Sequence, residues 1–120
     1  MPIVKIVILN WNGAEHLRRF LPSVVAAAPA GVGVVVADNG STDGSLAVLA
    51  EKFPTVAVVR LDRNYGFAGG YNRALAQVEA DYYLLLNSDV ETPRGWLEPI
   101  LGVLERAVSY THLTLPTIRL

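Results

Sequence analysis

The sequence predicts an α/β fold: an open, mostly parallel sheet with helices on both faces. Three observations carry that expectation. Short, near-continuous runs of Val, Ile and Leu mark strands covered on both sides. Between them lie segments whose apolar residues recur at i, i+3 and i+4, as on amphipathic helices. The two alternate as β-α-β-α-β-α-β-α, the order of right-handed crossovers in a parallel sheet.

The first strand is read over Ile3–Leu9, followed by the polar turn Asn10-Trp11-Asn12-Gly13. Leu17, Phe20, Leu21, Val24, Val25 and Ala28 then line one helix face, with a kink or break expected after Leu21 because Pro22 follows. Val32–Ala37 is the second strand, and Asp38 closes it. The stretch Asn39–Ser45 is dense in turn formers and helix caps. It leads to a short helix with Leu46, Leu49, Ala50 and Phe53 on one face. Val56–Leu61 is the third strand, and a glycine-rich loop, Asn64–Gly70, opens a helix carrying Tyr71, Ala74, Leu75 and Val78. Tyr82–Leu86 is the fourth strand, stopping at Asn87-Ser88-Asp89. Thr92 and Pro93 form an N-cap and first-turn pair ahead of a helix presenting Trp96, Ile100, Leu101 and Leu104.

Composition narrows the function. With 120 residues the chain has room for one domain, and 52% hydrophobic residues suffice for one core. The 10 basic and 11 acidic side chains leave a net charge of −1 without a Lys/Arg cluster, so nucleic acid is an unexpected partner. Without cysteine there is neither a disulfide framework nor a thiolate metal site, which fits a reducing compartment. The longest apolar stretch, Leu21–Ala37, is broken by Pro22, Pro29, Gly31 and Gly33, and no membrane span is expected. Met1–Leu9 reads as a strand and not as a signal peptide.

Ligands of open α/β sheets bind outside the carboxyl ends of the strands. Asn10, Asp38, Asn64 and Asp89 all fall there. An ionised Asp38 can only accept hydrogen bonds, and the ring N–H of uracil or thymine is a fitting donor. Such a charge-assisted bond contributes about 1.5–3 kcal/mol; a turn-forming or capping role, shared with Asp43, serves equally. Asp89 can bind a hard divalent cation that neutralises a diphosphate, or it can simply start a turn. The glycines of Asn64–Asn72 suit either close approach to an anion or helix–strand packing. They follow the third strand and lack the G-x-G-x-x-G spacing of a dinucleotide-binding domain. Trp11 can flank a base or pack beneath its loop. His16 and His112 have no metal-ligand partners, and no role is assigned to them.

Four segments in order, Ile-Val-Ile-Leu-Asn-Trp-Asn-Gly, Val-Ala-Asp-Asn-Gly-Ser-Thr-Asp-Gly-Ser, Asn-Tyr-Gly-Phe-Ala-Gly-Gly-Tyr-Asn and Leu-Leu-Leu-Asn-Ser-Asp, resemble family-2 glycosyltransferases of the GT-A fold. The third looks most like the rhamnosyltransferase-like branch. The resemblance spans Pro2 to Ala107 and implies the nucleotide-binding half of such an enzyme. It implies that Leu9, Asn10 and Trp11 line the base and ribose pocket and that Asp38 holds the pyrimidine. Asn64, Gly70, Asn87 and Ser88 would then lie beside the donor. Asp89 matches the last Asp of the family's D-x-D motif, the ligand of Mg²⁺ or Mn²⁺, with Asn87 in place of the first Asp. The implied donor is a UDP or TDP sugar, and the implied acceptor a hydroxyl of a polysaccharide or a lipid-linked saccharide. The implied location is the cytoplasm or the inner face of the membrane.

Nothing after Asp89 matches the family's acidic general base, so residues 1–107 are expected to be a half-domain without transfer activity. Residues 108–120 continue no earlier pattern and resemble a translated sequencing adapter, hence a non-native tail. The competing readings are a naturally short nucleotide-binding module without catalysis and a sugar-phosphate nucleotidyltransferase. The latter wants a basic glycine-rich loop after the first strand, which Asn10–Gly13 is not.

Overall fold

Strand β1, Val4–Asn10, lies at the centre of a parallel sheet of order β3-β2-β1-β4-β5, with β2 at Val32–Asp38, β3 at Ala57–Arg60, β4 at Tyr82–Leu86 and β5 at Thr117–Arg119. The structure, a computed structural model, describes residues 2–110 and 117–119, with side chains as far as Leu104. From β1 the chain winds outward through β2 to β3, then returns to the other side of β1 as β4. The winding direction therefore reverses between β1 and β4, the switch point at which such sheets open a crevice.

Successive side chains of a strand face opposite ways, and each face of the sheet has its own core. Ile6, Ile8, Val36, Leu84 and Leu86 pack with Leu17, Leu21 and Val24 of helix α1 (Ala14–Ala27) and Val48 and Leu49 of α2 (Ser45–Lys52). Val7, Val35, Ala37, Tyr83 and Leu85 pack with Tyr71 and Ala74 of α3 (Gly66–Leu75). Each fully buried aliphatic side chain contributes about 1.5–3 kcal/mol, which makes this two-sided burial the main force holding the strands in register. The four strands read from sequence are all present, and the expected α/β architecture is the one observed. A fifth strand, β5, joins them by pairing with β4.

Four local expectations are corrected. Helix α1 runs through Pro22 without a break. Pro22 is exposed, the carbonyl it frees one turn earlier shares its solvent face, and Leu21 and Val24 on either side are locked in the core. The inward face of α2 is Ser45, Val48 and Leu49, whereas Ala50 is exposed. Helix α3 starts at Gly66, so the glycine-rich segment is mostly helix and not a loop. Glycine costs a helix about 1 kcal/mol against alanine, but close packing beneath Gly70 outweighs that preference. The last helix, α4, spans Glu98–Tyr110, well beyond Thr92 and Pro93. Thr92 is buried, and its N–H donates to the Ser23 hydroxyl at 3.0 Å, so it ties the β4–α4 segment to α1 instead of capping a helix. Of the segment read as a tail, Val108–Tyr110 continue α4 and Thr117–Arg119 form β5, while His112 lies outside the described residues.

Tyr71 holds the switch point open. Pairing of β1 with β4 ends at Ile8 and Leu86. There the Tyr71 hydroxyl accepts from the Leu9 N–H at 3.3 Å and donates to the Leu86 carbonyl at 3.3 Å. Tyr71→Phe is expected to destabilise the fold by about 1–3 kcal/mol, because two strand-end groups lose their partner. Urea denaturation measures the loss.

Candidate functional site

Above the carboxyl ends of β1 and β4, between α1 on one face of the sheet and α3 on the other, lies an open cleft of about 240 Å³. Leu9, Phe67 and Tyr71 form its apolar wall, His16 stands on the α1 side, and Asn87, Ser88 and Asp89 form its polar end. The cleft occupies the switch point, where the sheet topology leads a ligand to be expected. Of the candidate site residues, it gathers Leu9, Asn87, Ser88 and Asp89.

Asn10 and Asp38 form a separate buried knot at the ends of β1 and β2, where they pair in register. They are 1% and 2% exposed, a depth that demands partners. The Asn10 amide donates to Asp38 Oδ1 at 3.1 Å and to the Ser41 hydroxyl at 3.3 Å, while the Ser41 N–H donates to Asp38 Oδ2 at 3.0 Å. Both carboxylate oxygens thus already accept hydrogen bonds from inside the protein. Asp38 is first an internal anchor of the β2–α2 loop.

Asn12 clamps that loop from the other side. Its backbone adopts φ 49°, which a short polar side chain tolerates, and its Oδ1 accepts from the Thr42 N–H at 2.7 Å and the Asp43 N–H at 3.1 Å. Asp43 returns the contact, accepting from the Ala14 N–H at 3.2 Å and the Ser45 N–H at 2.9 Å. Partial burial works to raise the Asp43 pKa, but bonds from the Ser45 hydroxyl and amide and the Ala14 amide outweigh it and hold the carboxyl below its ordinary 3.8. A lowered folded-state value means the contribution is present above the unfolded pKa and lost as pH falls through the folded one. Acidification below about pH 4 is therefore expected to loosen the junction of α1 and α2, and Asp43→Asn to flatten that part of a stability–pH curve.

Asn39 ties β2 to the start of α3. It is 2% exposed; its amide donates to Asn64 Oδ1 at 3.1 Å and the Gly66 carbonyl at 3.0 Å, and its Oδ1 accepts from the Tyr65 N–H at 3.0 Å. Asn64 also accepts from the Gly66 N–H at 2.8 Å, so its side-chain oxygen fastens its own loop. A Cβ on Gly70 would stand 2.8 Å from the Asn39 amide and 3.0 Å from Leu9, so a side chain there is excluded. In the sequence Asn39 is one turn former among several; its burial follows from the fold. Trp11 is 54% exposed beside this assembly, free of the packed alternative.

Among the described residues no group of three or more His, Asp or Glu side chains gathers in metal-ligating array. Asp89 and the side-chain carbonyl of Asn87 are hard oxygen donors on one rim of the cleft. That suits a cation such as Mg²⁺, which takes one or two protein carboxylates and fills its shell with phosphate and water.

Comparison with known proteins decides the family. The model of "Glycosyl transferase family 2" matches residues 5–117. The chain belongs to that family. An N-acetylglucosaminyl-diphospho-decaprenol L-rhamnosyltransferase of Mycobacterium tuberculosis is 29% identical over 87% of the chain, and the match spans 38% of that enzyme. The pre-mycofactocin glycosyltransferase of the same organism is 34% identical over 82% of the chain and 20% of its own length. This glycosyltransferase family 2 chain therefore spans well under half of these relatives. Among solved structures, S. aureus TarS 1-349 in complex with UDP-GlcNAc superposes with TM-score 0.74 at 24% identity, covering 86% of the chain and 31% of TarS. A Pyrobaculum calidifontis mannosyltransferase in complex with GDP-Man and Mn²⁺ gives TM-score 0.65 at 24% identity, covering 77% of the chain and 29% of that structure. These likenesses establish the GT-A type of α/β fold expected from the sequence. No helix among the described residues is long and apolar enough to cross a membrane.

Proposed function

We propose that this chain is the donor-binding half of a glycosyltransferase that moves a sugar from a UDP or TDP sugar to a hydroxyl of a polysaccharide or lipid-linked acceptor. One observation carries the reading: the switch-point cleft has an apolar wall and ends on Asn87, Ser88 and Asp89. Asp89 would hold Mg²⁺ or Mn²⁺ on the diphosphate, with Asn87 and Ser88 beside it. Bound there, the metal would neutralise charge developing on the leaving diphosphate. Leu9, Asn10 and Trp11 would line the base and ribose side, and exposed Trp11 offers a stacking face. Asp38 would reach the pyrimidine through movement of the Ser41 loop, because its oxygens are internally bonded in the structure.

The Mycobacterium rhamnosyltransferase, whose printed name carries a diphospho-decaprenol acceptor, supports the lipid-linked class. The GDP-Man and Mn²⁺ complex of the mannosyltransferase supports a divalent ion. We place the parent enzyme in the cytoplasm or at the inner membrane face. No residue here is assigned as general base, so transfer is ascribed to the parent and nucleotide binding to this half. The boundary near Ala107 is proposed on the break in pattern and the adapter-like sequence beyond it, although the family match continues to Thr117.

A longer read of the source DNA across the Ala107 codon, followed by expression of the full frame, tests the reading. A frame that supplies an acidic loop and releases UDP or TDP from a sugar nucleotide supports the transferase. A frame that stops at Leu120 removes the enzyme claim and leaves a nucleotide-binding module.

A further inference from the structure

We propose that His16 is a donor-binding residue that contacts the diphosphate, an inference resting on the nucleotide reading of the cleft. Sequence alone leaves His16 without a role, because its neighbours in the chain suggest none. The fold brings it into the same cleft as Asn87, Ser88 and Asp89.

Charge balance points to it. The two phosphates of a sugar nucleotide together with Asp89 carry more negative charge than one divalent ion cancels, and the excess grows when the diphosphate leaves. Of the side chains lining the cleft, His16 is the one that belongs to a basic residue. Its imidazole also offers an N–H donor to a phosphate oxygen, from the side of the cleft opposite Asp89. Its position suits an anion in two further respects. It stands in the first turn of α1, where the helix dipole adds positive potential. The neighbouring carboxylate of Glu15 is paired with Arg18 and so does not neutralise it. The ring packs edge-on against Phe20, with centroids 5.9 Å apart, which restricts its orientation.

A structural role for His16 and a phosphate contact differ in what they do to nucleoside binding. The test compares UDP and TDP with uridine and thymidine, each titrated with Mn²⁺ into the 120-residue chain, for wild type, His16→Ala, His16→Gln and His16→Arg. The expected result is about tenfold weaker diphosphate binding in His16→Ala, as for loss of a charge-assisted hydrogen bond at a partly solvated site. Nucleoside binding should stay unchanged, and His16→Arg should recover most of the loss. His16 is exposed, so the fold should tolerate all three replacements. If His16→Ala shifts the thermal midpoint, His16→Gln supplies the comparison. Equal diphosphate affinity in wild type and His16→Ala overturns the proposal while leaving the nucleotide reading intact. Parallel loss of nucleoside and diphosphate also overturns it, by making His16 structural. A wild-type chain that binds neither ligand removes both.

Discussion

Gly40→Ala is expected to destabilise the chain by about 3 kcal/mol or more, from strain and collision together. Gly40 adopts φ 76°, a left-handed conformation that costs a residue with a Cβ about 1–2 kcal/mol. The added Cβ would also stand 2.5 Å from the Arg63 carbonyl carbon and 2.6 Å from its Cα. Backbone cannot swing aside as a flexible side chain can, so the β2–α2 and β3–α3 loops must separate. Their separation would pull apart the bonds that join Asn39 to Asn64, Tyr65 and Gly66. Gly44→Ala is the control: its backbone has φ −82° and a Cβ there meets nothing within 4 Å. The change should cost under about 1 kcal/mol. Urea denaturation of the two variants measures the contrast, and equal losses would mean that the two loops do not meet closely at Gly40.

Asp89→Ala is expected to weaken Mn²⁺-dependent binding of UDP or TDP by at least about tenfold with little change in stability. Asp89 is exposed at the cleft rim and forms no structural bond among those described, so its removal should spare the fold. Asn87→Asp should act in the opposite direction by restoring a second carboxylate and tightening Mn²⁺. Paramagnetic broadening of amide signals by Mn²⁺ reports both changes. Unaltered broadening in Asp89→Ala would remove the metal assignment.

The sheet was legible because its strands are short runs of apolar, largely β-branched residues between turn formers, and that signal survives without tertiary context. Helix ends were less so. Thr92-Pro93 has the chemistry of a helix start, yet Thr92 is drawn into the core by Ser23, a partner far away in sequence. At α3, glycine composition suggested a loop, whereas packing against Asn39 and Leu9 requires glycine inside a helix. The candidate site divided in the same manner. Asn87, Ser88 and Asp89 were legible because they follow the fourth strand, whereas Leu9, inside β1, came only with the family resemblance. That Asp38 would be bonded on both oxygens, that Asn39 would join two loops, and that His16 would enter the cleft depended on contacts across the chain.

The cleft between β1 and β4 is proposed to bind a nucleoside diphosphate with a divalent ion. Its most direct test is an amide-shift titration of the chain with UDP and with TDP, each in the presence of Mg²⁺. Metal-dependent shifts are expected in Leu9–Trp11, in Asp38–Ser41 and in Asn87–Asp89. Saturating nucleotide that moves neither the Asp38 loop nor the Asp89 loop would contradict it.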